Sequence, residues 1–255
     1  MAEPSAYRII SSICDIVCTY MPADKKKFKP VPKRFHPKGL NIIFEDHYIV
    51  VVDKSSGLLT VSNERVRENT AYFLLNEYVK KGNQKSRNRV FIVHRLDRDT
   101  SGLLVFAKSE PAKQYLQHEW KQFEKKYYAL VHGHLPEKEG LISSYLAENN
   151  VHRMYSVTDP DKGKLAKTGY KVIRESKNYS LLLIDLLTGK KNQIRVHFSE
   201  MGHPVAGDRI YGKQESDKNV NRLALHSCFL KISHPFTKEE MIFESPLPEY
   251  FKSLR

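Results

Sequence analysis

A run of charged and small residues lies between two short apolar runs near the middle of the chain, and this pattern constrains the fold most strongly. The apolar runs, residues 90–93 and 103–107, are typical of short buried strands. Residues 100–102, Thr-Ser-Gly, supply the hydroxyl groups and the permissive backbone of a turn. The sequence therefore predicts that the carboxylate of Asp97 lies on a tight loop between two strands, where reactive groups are often found.

The loop carries the motif H-R-L-D-x-x-T-S-G, which resembles the fingerprint of the RluA-type pseudouridine synthases. These enzymes detach a uracil from its ribose in RNA and rejoin the two through carbon. Further segments resemble the same family in the same order: K-x-Y-x-A-x-V at 125–131, A-x-T-x-Y at 166–170, T-G-x-x-x-Q-I-R-x-H at 188–197, and G-H-P with G-D-x-x-Y-G at 202–212. The resemblance covers roughly residues 40–245.

The order of apolar and polar segments predicts an α/β (α+β) protein with a mixed, mostly antiparallel sheet and helices on its outside. Helices are predicted at 65–81 and 110–124, where apolar residues recur on one face, and a strand is predicted at 58–61. The resemblance implies the pseudouridine synthase fold, with a central catalytic cleft.

The resemblance also assigns roles to individual residues. Asp97 is the catalytic carboxylate, either as a nucleophile on the ribose or as the base that produces a glycal, and both routes remain open. Arg195 keeps this carboxylate ionised and oriented. Tyr127, rather than Tyr128, lies against the uracil and removes the proton from its carbon 5, and Arg95 helps to evert the nucleotide. This chemistry requires no cofactor and no metal.

Five other residues of the motifs are predicted to contact RNA: His94, Lys190, Lys191, Asn192 and His197. Two of them depart from the family pattern, since Lys190 stands where arginine is usual and Asn192 where histidine is usual. Both are polar hydrogen-bonding residues, but lysine lacks the bidentate fork of arginine. The departures therefore bear on the RNA contact rather than on the type of reaction.

The charge of the chain favours a polyanionic partner. Lysine and arginine total 42 against 29 acidic residues, a formal net charge of +13, which is consistent with binding to ribosomal or transfer RNA. The three cysteines lack the spacing of a disulfide framework or zinc site, so a cytoplasmic location is predicted. The apolar segment at 7–21 is too short and too interrupted to span a membrane. The protein is expected to be a monomer.

Two regions are predicted along the chain. Residues 1–39 form an N-terminal helical segment followed by a basic, proline-rich linker, and residues 40–255 form the catalytic domain. The basic residues at 25–34 suit either an arm that contacts RNA phosphates or a solvated connector.

Two other functions compete with catalysis on RNA. One is a non-catalytic RNA-binding or ribosome-assembly factor with the same fold. The other is a metal-dependent hydrolase built on His132 and His134, whose H-x-H spacing would suit a metal, although no nearby acidic residue or cysteine completes the set.

Overall fold

The computed structural model describes residues 37–62, 66–212 and 220–252. The predicted N-terminal helix and most of the predicted basic linker lie outside these residues. The boundary at residue 39 therefore remains a prediction.

A single mixed sheet of eleven strands organises the described residues. The strands are β1 (Leu40–Glu45), β2 (Ile49–Lys54), β3 (Phe91–Ile92), β4 (Ser101–Ala107), β5 (Glu124–His132), β6 (Glu139–Glu148), β7 (Met154–Val157), β8 (Lys164–Glu175), β9 (Tyr179–Leu186), β10 (Leu225–Ser233) and β11 (Glu240–Glu244). Their order is β1-β2-β4-β10-β5-β9-β8-β6-β7, with β11 beside β10 and β3 beside β4. Only β4 and β10 pair in parallel among these strands, so the predicted mixed, mostly antiparallel sheet is confirmed.

Four α-helices accompany the sheet in the described ranges: α1 (Ala71–Lys80), α2 (Glu110–Glu119), α3 (Gln193–Glu200) and α4 (Glu249–Lys252). Helix α1 begins later than the predicted residue 65, because the Thr70 hydroxyl caps it by accepting a hydrogen bond from the Phe73 amide. Helix α2 begins where predicted, with Ser109 as its cap, but ends at Glu119 instead of residue 124.

The core lies on both faces of the central strands. Every residue of β4 is buried, and the alternation of side chains sends them to opposite faces of the sheet. One face packs Leu104 and Phe106 with Leu75 of α1 and Phe198 of α3. The other face packs Leu103 and Val105 in a cluster that contains Leu116 of α2. The loop that precedes β4 is therefore anchored to the most enclosed strand of the fold.

Several sequence-based predictions of secondary structure are wrong or incomplete. The predicted strand at 58–61 is absent, since this segment makes only an isolated bridge between Leu59 and Thr70. Strands β6, β7 and β11 had not been predicted. Strand β6 reads EGLISSYLAE and has only one fully buried residue, Leu146, so its apolar pattern is weak.

Gly102 lies inside β4, although the sequence predicted a turn there. Its φ is +107°, and a β-carbon at this position would collide with the backbone carbonyl of Ser227 on the neighbouring strand β10. Glycine is therefore required for the close approach of β4 and β10, the strand pair next to the Asp97 loop.

We expect that Gly102→Ala lowers the free energy of unfolding by more than about 2 kcal/mol, because it combines a steric clash with an unfavourable φ. Gly189→Ala is the matched control, since nothing lies within 4 Å of an added β-carbon there. It should change stability by less than about 0.5 kcal/mol. Urea unfolding followed by circular dichroism measures both, and equal stabilities of the two variants would contradict the expectation.

Candidate active site

An open pocket lies between the loop that precedes β4 and the start of helix α3. It holds about 470 Å³ of empty space, part of which is open to solvent. Most of the predicted site residues line it: Arg95, Asp97, Tyr127, Lys190, Asn192 and Arg195. Aliphatic side chains form much of the remaining wall: Leu96, Leu186, Ile194 and Leu225. The pocket therefore suits a ligand with an apolar part and a polar part.

The structure brings the predicted carboxylate and its predicted cation together. Asp97 lies on the loop between β3 and β4, and its side chain is 26% exposed. Nη1 of Arg195, on the first turn of α3, lies 3.5 Å from Oδ2 of Asp97. This contact joins two residues that are 98 positions apart in the chain, and it places the Asp97 carboxylate at the surface of the pocket.

Asp208 holds Arg195 in place. Nε and Nη2 of Arg195 donate to the two carboxylate oxygens of Asp208, each at 2.7 Å. The Asp208 side chain is fully buried and also accepts hydrogen bonds from the backbone amides of Ile210 and Tyr211. Burial of Arg195 acts to lower its pKa, but the hydrogen bonds and charge of Asp208 raise this pKa above the usual value. Arg195 is therefore a fixed cation.

Sequence reasoning missed this role of Asp208, although the residue belongs to the G-D-x-x-Y-G motif. Asn192 also contributes, since its Oδ1 accepts a hydrogen bond from Nη1 of Arg195 at 3.0 Å and its Nδ2 donates to the Tyr211 hydroxyl at 3.3 Å. The backbone of Asn192 is left-handed, with a φ of 52°, a conformation that asparagine tolerates better than most residues. Its contact with RNA remains a prediction.

Tyr127 projects from β5 into the pocket wall, with 7% of its surface exposed. Burial raises the pKa of its hydroxyl, and a hydrogen bond with the Ser227 side chain opposes this rise. Tyr127 is therefore a neutral phenol at physiological pH. Tyr128 packs with Leu130 and Ala224 in a separate cluster of buried residues. Tyr127 therefore lines the pocket and Tyr128 packs elsewhere, and the functional distinction between them remains a prediction.

Lys54 is a second residue that sequence reasoning missed. It is fully buried at the end of β2, and its ammonium group donates to the carbonyls of Ser55, Leu58 and Arg98 at 3.1, 2.8 and 3.1 Å. Burial lowers the pKa of Lys54 to about 8. Lys54 thereby ties the backbone that follows Asp97 to the segment after β2.

The rings of His94 and His197 already have partners within the protein, and their predicted RNA contacts remain predictions. Nε2 of His94 accepts a hydrogen bond from the Val105 amide at 3.1 Å, and the ring stacks on Trp120. His197 is 1% exposed, and its ring nitrogens bond to the hydroxyls of Ser144 and Thr168.

The remaining predicted contacts lie at the surface. Arg95 is exposed at the pocket, and Lys190 lines the pocket with its side chain partly exposed. Lys191 lies outside the pocket lining and pairs with Glu148 at 2.6 Å. For these three residues the RNA contact remains a prediction.

The hydrolase alternative finds no support at His134, whose Nε2 lies 2.7 Å from the Ser176 carbonyl. Within residues 37–62, 66–212 and 220–252, no three histidine, cysteine or acidic side chains are arranged to hold a metal ion. The helices of the same ranges are also too short or too polar to cross a membrane.

Comparison with known sequences gives a consistent result. The family described as RNA pseudouridylate synthase matches residues 47–200. The ribosomal large subunit pseudouridine synthase D of Nitrosomonas europaea is 36% identical over 225 residues, which are 84% of this chain and 64% of the relative. The enzyme of the same name from Zymomonas mobilis is 33% identical over 239 residues, 86% of this chain and 74% of the relative. The chain thus spans less than two thirds of the first relative.

Solved structures show the same architecture. Human RNA pseudouridylate synthase domain containing 4 superposes with a TM-score of 0.70 at 22% identity, covering 83% of this chain and 90% of that protein. Human RNA pseudouridylate synthase domain containing 1 gives a TM-score of 0.67 at 25% identity, covering 85% and 86%. The predicted fold is confirmed by this likeness.

The burial of His197 on α3 makes the stability of the protein depend on pH. Burial lowers the pKa of His197 to about 4, whereas the unfolded chain binds this proton near pH 6.5. Between about pH 4 and 6.5 the unfolded state binds more protons than the folded state. The free energy of unfolding therefore rises with pH across this interval and decreases as the pH falls through it. We expect His197→Gln to show a shallower loss of stability between pH 6.5 and 4 than the wild type.

The control is His118→Gln, since the His118 side chain is 85% exposed. Urea unfolding at a series of pH values gives the slope for each protein. A His197→Gln slope equal to that of wild type would refute the assignment, and His118→Gln should retain the wild-type slope.

Proposed function

Because the chain belongs to the RNA pseudouridylate synthase family, we propose that it isomerises specific uridines in RNA to pseudouridine, with Asp97 as the catalytic carboxylate. The observation that carries this proposal is the pairing of a partly exposed Asp97 with Nη1 of Arg195 in an open pocket. The arginine is itself locked by the buried Asp208. Such a pair holds a carboxylate beside a cation at a fixed position.

The reaction rearranges bonds within one nucleotide. The bond from N1 of uracil to C1′ of the ribose breaks, C5 of the rotated base bonds to C1′, and the proton on C5 leaves while N1 gains one. Asp97 acts on the sugar either by attacking C1′ or by removing a proton from C2′ to form a glycal. Both routes need a carboxylate that reaches the ribose, and neither consumes a cofactor.

The surrounding residues have distinct parts in this proposal. Arg195 orients Asp97. The aliphatic wall of the pocket and the ring of Tyr127 hold the detached uracil. Eversion of a nucleotide costs a few kcal/mol, less in a loop than in a duplex, so a uridine in a structured loop is the favoured target. Arg95, exposed at the pocket, fills the space that the base leaves.

The substrate is proposed to be large-subunit ribosomal RNA, since relatives from Nitrosomonas europaea and Zymomonas mobilis are named for the ribosomal large subunit. Transfer RNA is the alternative to be compared with it. We further propose that residues 40–255 form the catalytic domain and that the protein acts in the cytoplasm as a monomer.

Mapping of pseudouridine tests the proposal directly. Purified protein is incubated with unmodified transcripts of large-subunit ribosomal RNA and of transfer RNAs, and pseudouridines are then located chemically. We expect modification at defined uridines by the wild type and a loss of more than about 1,000-fold with Asp97→Asn, whose RNA affinity should stay within a few fold.

Asp99→Asn is the matched control, because Asp99 is an exposed aspartate of the same loop and lies outside the pocket lining. It should retain most of the activity. Wild-type protein that binds these RNAs but modifies no uridine would instead support the non-catalytic RNA-binding factor.

A second test addresses the support of Arg195. Asp208→Asn removes the negative charge from the bidentate pair, and we expect kcat to fall about 100-fold, as for a small misplacement of a catalytic group. Asp185→Asn is the control, since Asp185 forms an exposed pair with Lys126 at 3.4 Å. Both variants are assayed at a temperature at which circular dichroism shows them folded. An unchanged kcat for folded Asp208→Asn would contradict this role.

A further inference from the structure

The turn between β6 and β7 forms a hydrogen-bonded tip, which we define as residues 149–153. The side-chain oxygen of Asn149 accepts hydrogen bonds from the amides of Val151 and Arg153, at 3.1 and 2.9 Å. Two backbone hydrogen bonds also close the turn. The Asn149 amide donates to the Arg153 carbonyl, and the His152 amide donates to the Asn149 carbonyl. These contacts fix the backbone of the tip and the direction of its side chains.

The tip presents an apolar side chain and a cation to solvent. Val151 is 78% exposed, the highest value among the exposed large apolar residues of the described ranges. Arg153, two residues further on, is also exposed. A single exposed valine is unremarkable on a protein surface, but a hydrogen-bonded turn that places it beside a cation is suited to contact a ligand.

The tip is joined to the pocket by two independent sets of contacts. Lys191 donates to the Glu148 carboxylate and to the His152 carbonyl, at 2.6 and 2.9 Å, and its sequence neighbours Lys190 and Asn192 line the pocket. The hairpin is thus tied to the loop that forms one wall of the pocket.

The second set of contacts passes through Tyr211. The guanidinium of Arg153 lies 5.1 Å from the centre of the Tyr211 ring, and the guanidinium of Arg195 lies 5.2 Å from the same centre. The Tyr211 hydroxyl accepts a hydrogen bond from the Met154 amide. The position of the tip is therefore fixed relative to the arginine that faces Asp97.

We propose that the tip is an RNA-contacting element that engages the strand beside the everted uridine, with Val151 against a neighbouring base and Arg153 at a phosphate. The inference rests on the proposed function and extends it to a specific surface. An apolar side chain can pack against bases that have lost a stacking partner, and an arginine supplies the attraction to the backbone. The net charge of +13 is consistent with such a partner.

The test compares Val151→Ser and Arg153→Ser with the control Ile173→Ser, whose parent side chain is 50% exposed on β8. Affinity for a large-subunit ribosomal RNA transcript is measured by filter binding from 50 to 300 mM salt, together with kcat and KM on the same RNA. We expect each tip variant to weaken binding and raise KM by about five- to tenfold, with kcat nearly unchanged. Ile173→Ser should behave as wild type.

The two tip variants should differ in their response to salt. Loss of a phosphate contact in Arg153→Ser should reduce the slope of log affinity against log salt by about one, whereas Val151→Ser should keep the wild-type slope. Wild-type affinity and slope in both variants, or an equal effect of Ile173→Ser, would overturn the inference. Binding is scored separately from modification, so an inactive wild type would reject the proposed function while the affinity data still decide the role of the tip.

Discussion

The bidentate pair between Arg195 and Asp208 is the interaction on which the site depends. Removing two charges from water is costly, and a buried pair offsets that cost only when its geometry is good and its other hydrogen-bonding positions are filled. Both conditions hold, because Asp208 accepts two bonds from Arg195 and two more from backbone amides. The guanidinium consequently has one orientation, in which Nη1 faces Asn192 and Asp97.

The sheet determines where this cation meets the carboxylate. Strands β4 and β10 run parallel and come unusually close at Gly102 and Ser227. Strand β5 pairs with the other edge of β10, which sets Tyr127 directly across from Ser227. The register then shifts between Ser227 and Phe229, and irregularities of this kind often redirect side chains beside active sites. The pocket is therefore built where one parallel pair interrupts an antiparallel sheet.

Asp97, Tyr127 and Arg195 could be predicted as candidate site residues, because each belongs to a motif with fixed neighbours. The structure places all three around one pocket, and their catalytic roles remain predictions. The fold class followed from the order of apolar segments and the motifs. The sequence did not reveal the roles of Lys54 and Asp208, since these depend on partners that are distant in the chain or provided by backbone groups. The sequence also did not show that the rings of His94 and His197 bond within the protein, because a motif identifies a polar residue but not its partners.

Two aspartates contact Arg195, and their carboxylates differ in burial and in hydrogen bonding. Asp208 is completely buried and receives four hydrogen bonds, so its oxygens have little capacity left for a substrate. Asp97 is 26% exposed and receives Nη1 of Arg195 at the longer distance of 3.5 Å. A carboxylate that must reach a sugar needs oxygens that are accessible, and a carboxylate that must hold an arginine needs oxygens that are fully engaged. The difference in burial and hydrogen bonding therefore favours Asp97 for the proposed reactive role and Asp208 for the supporting role.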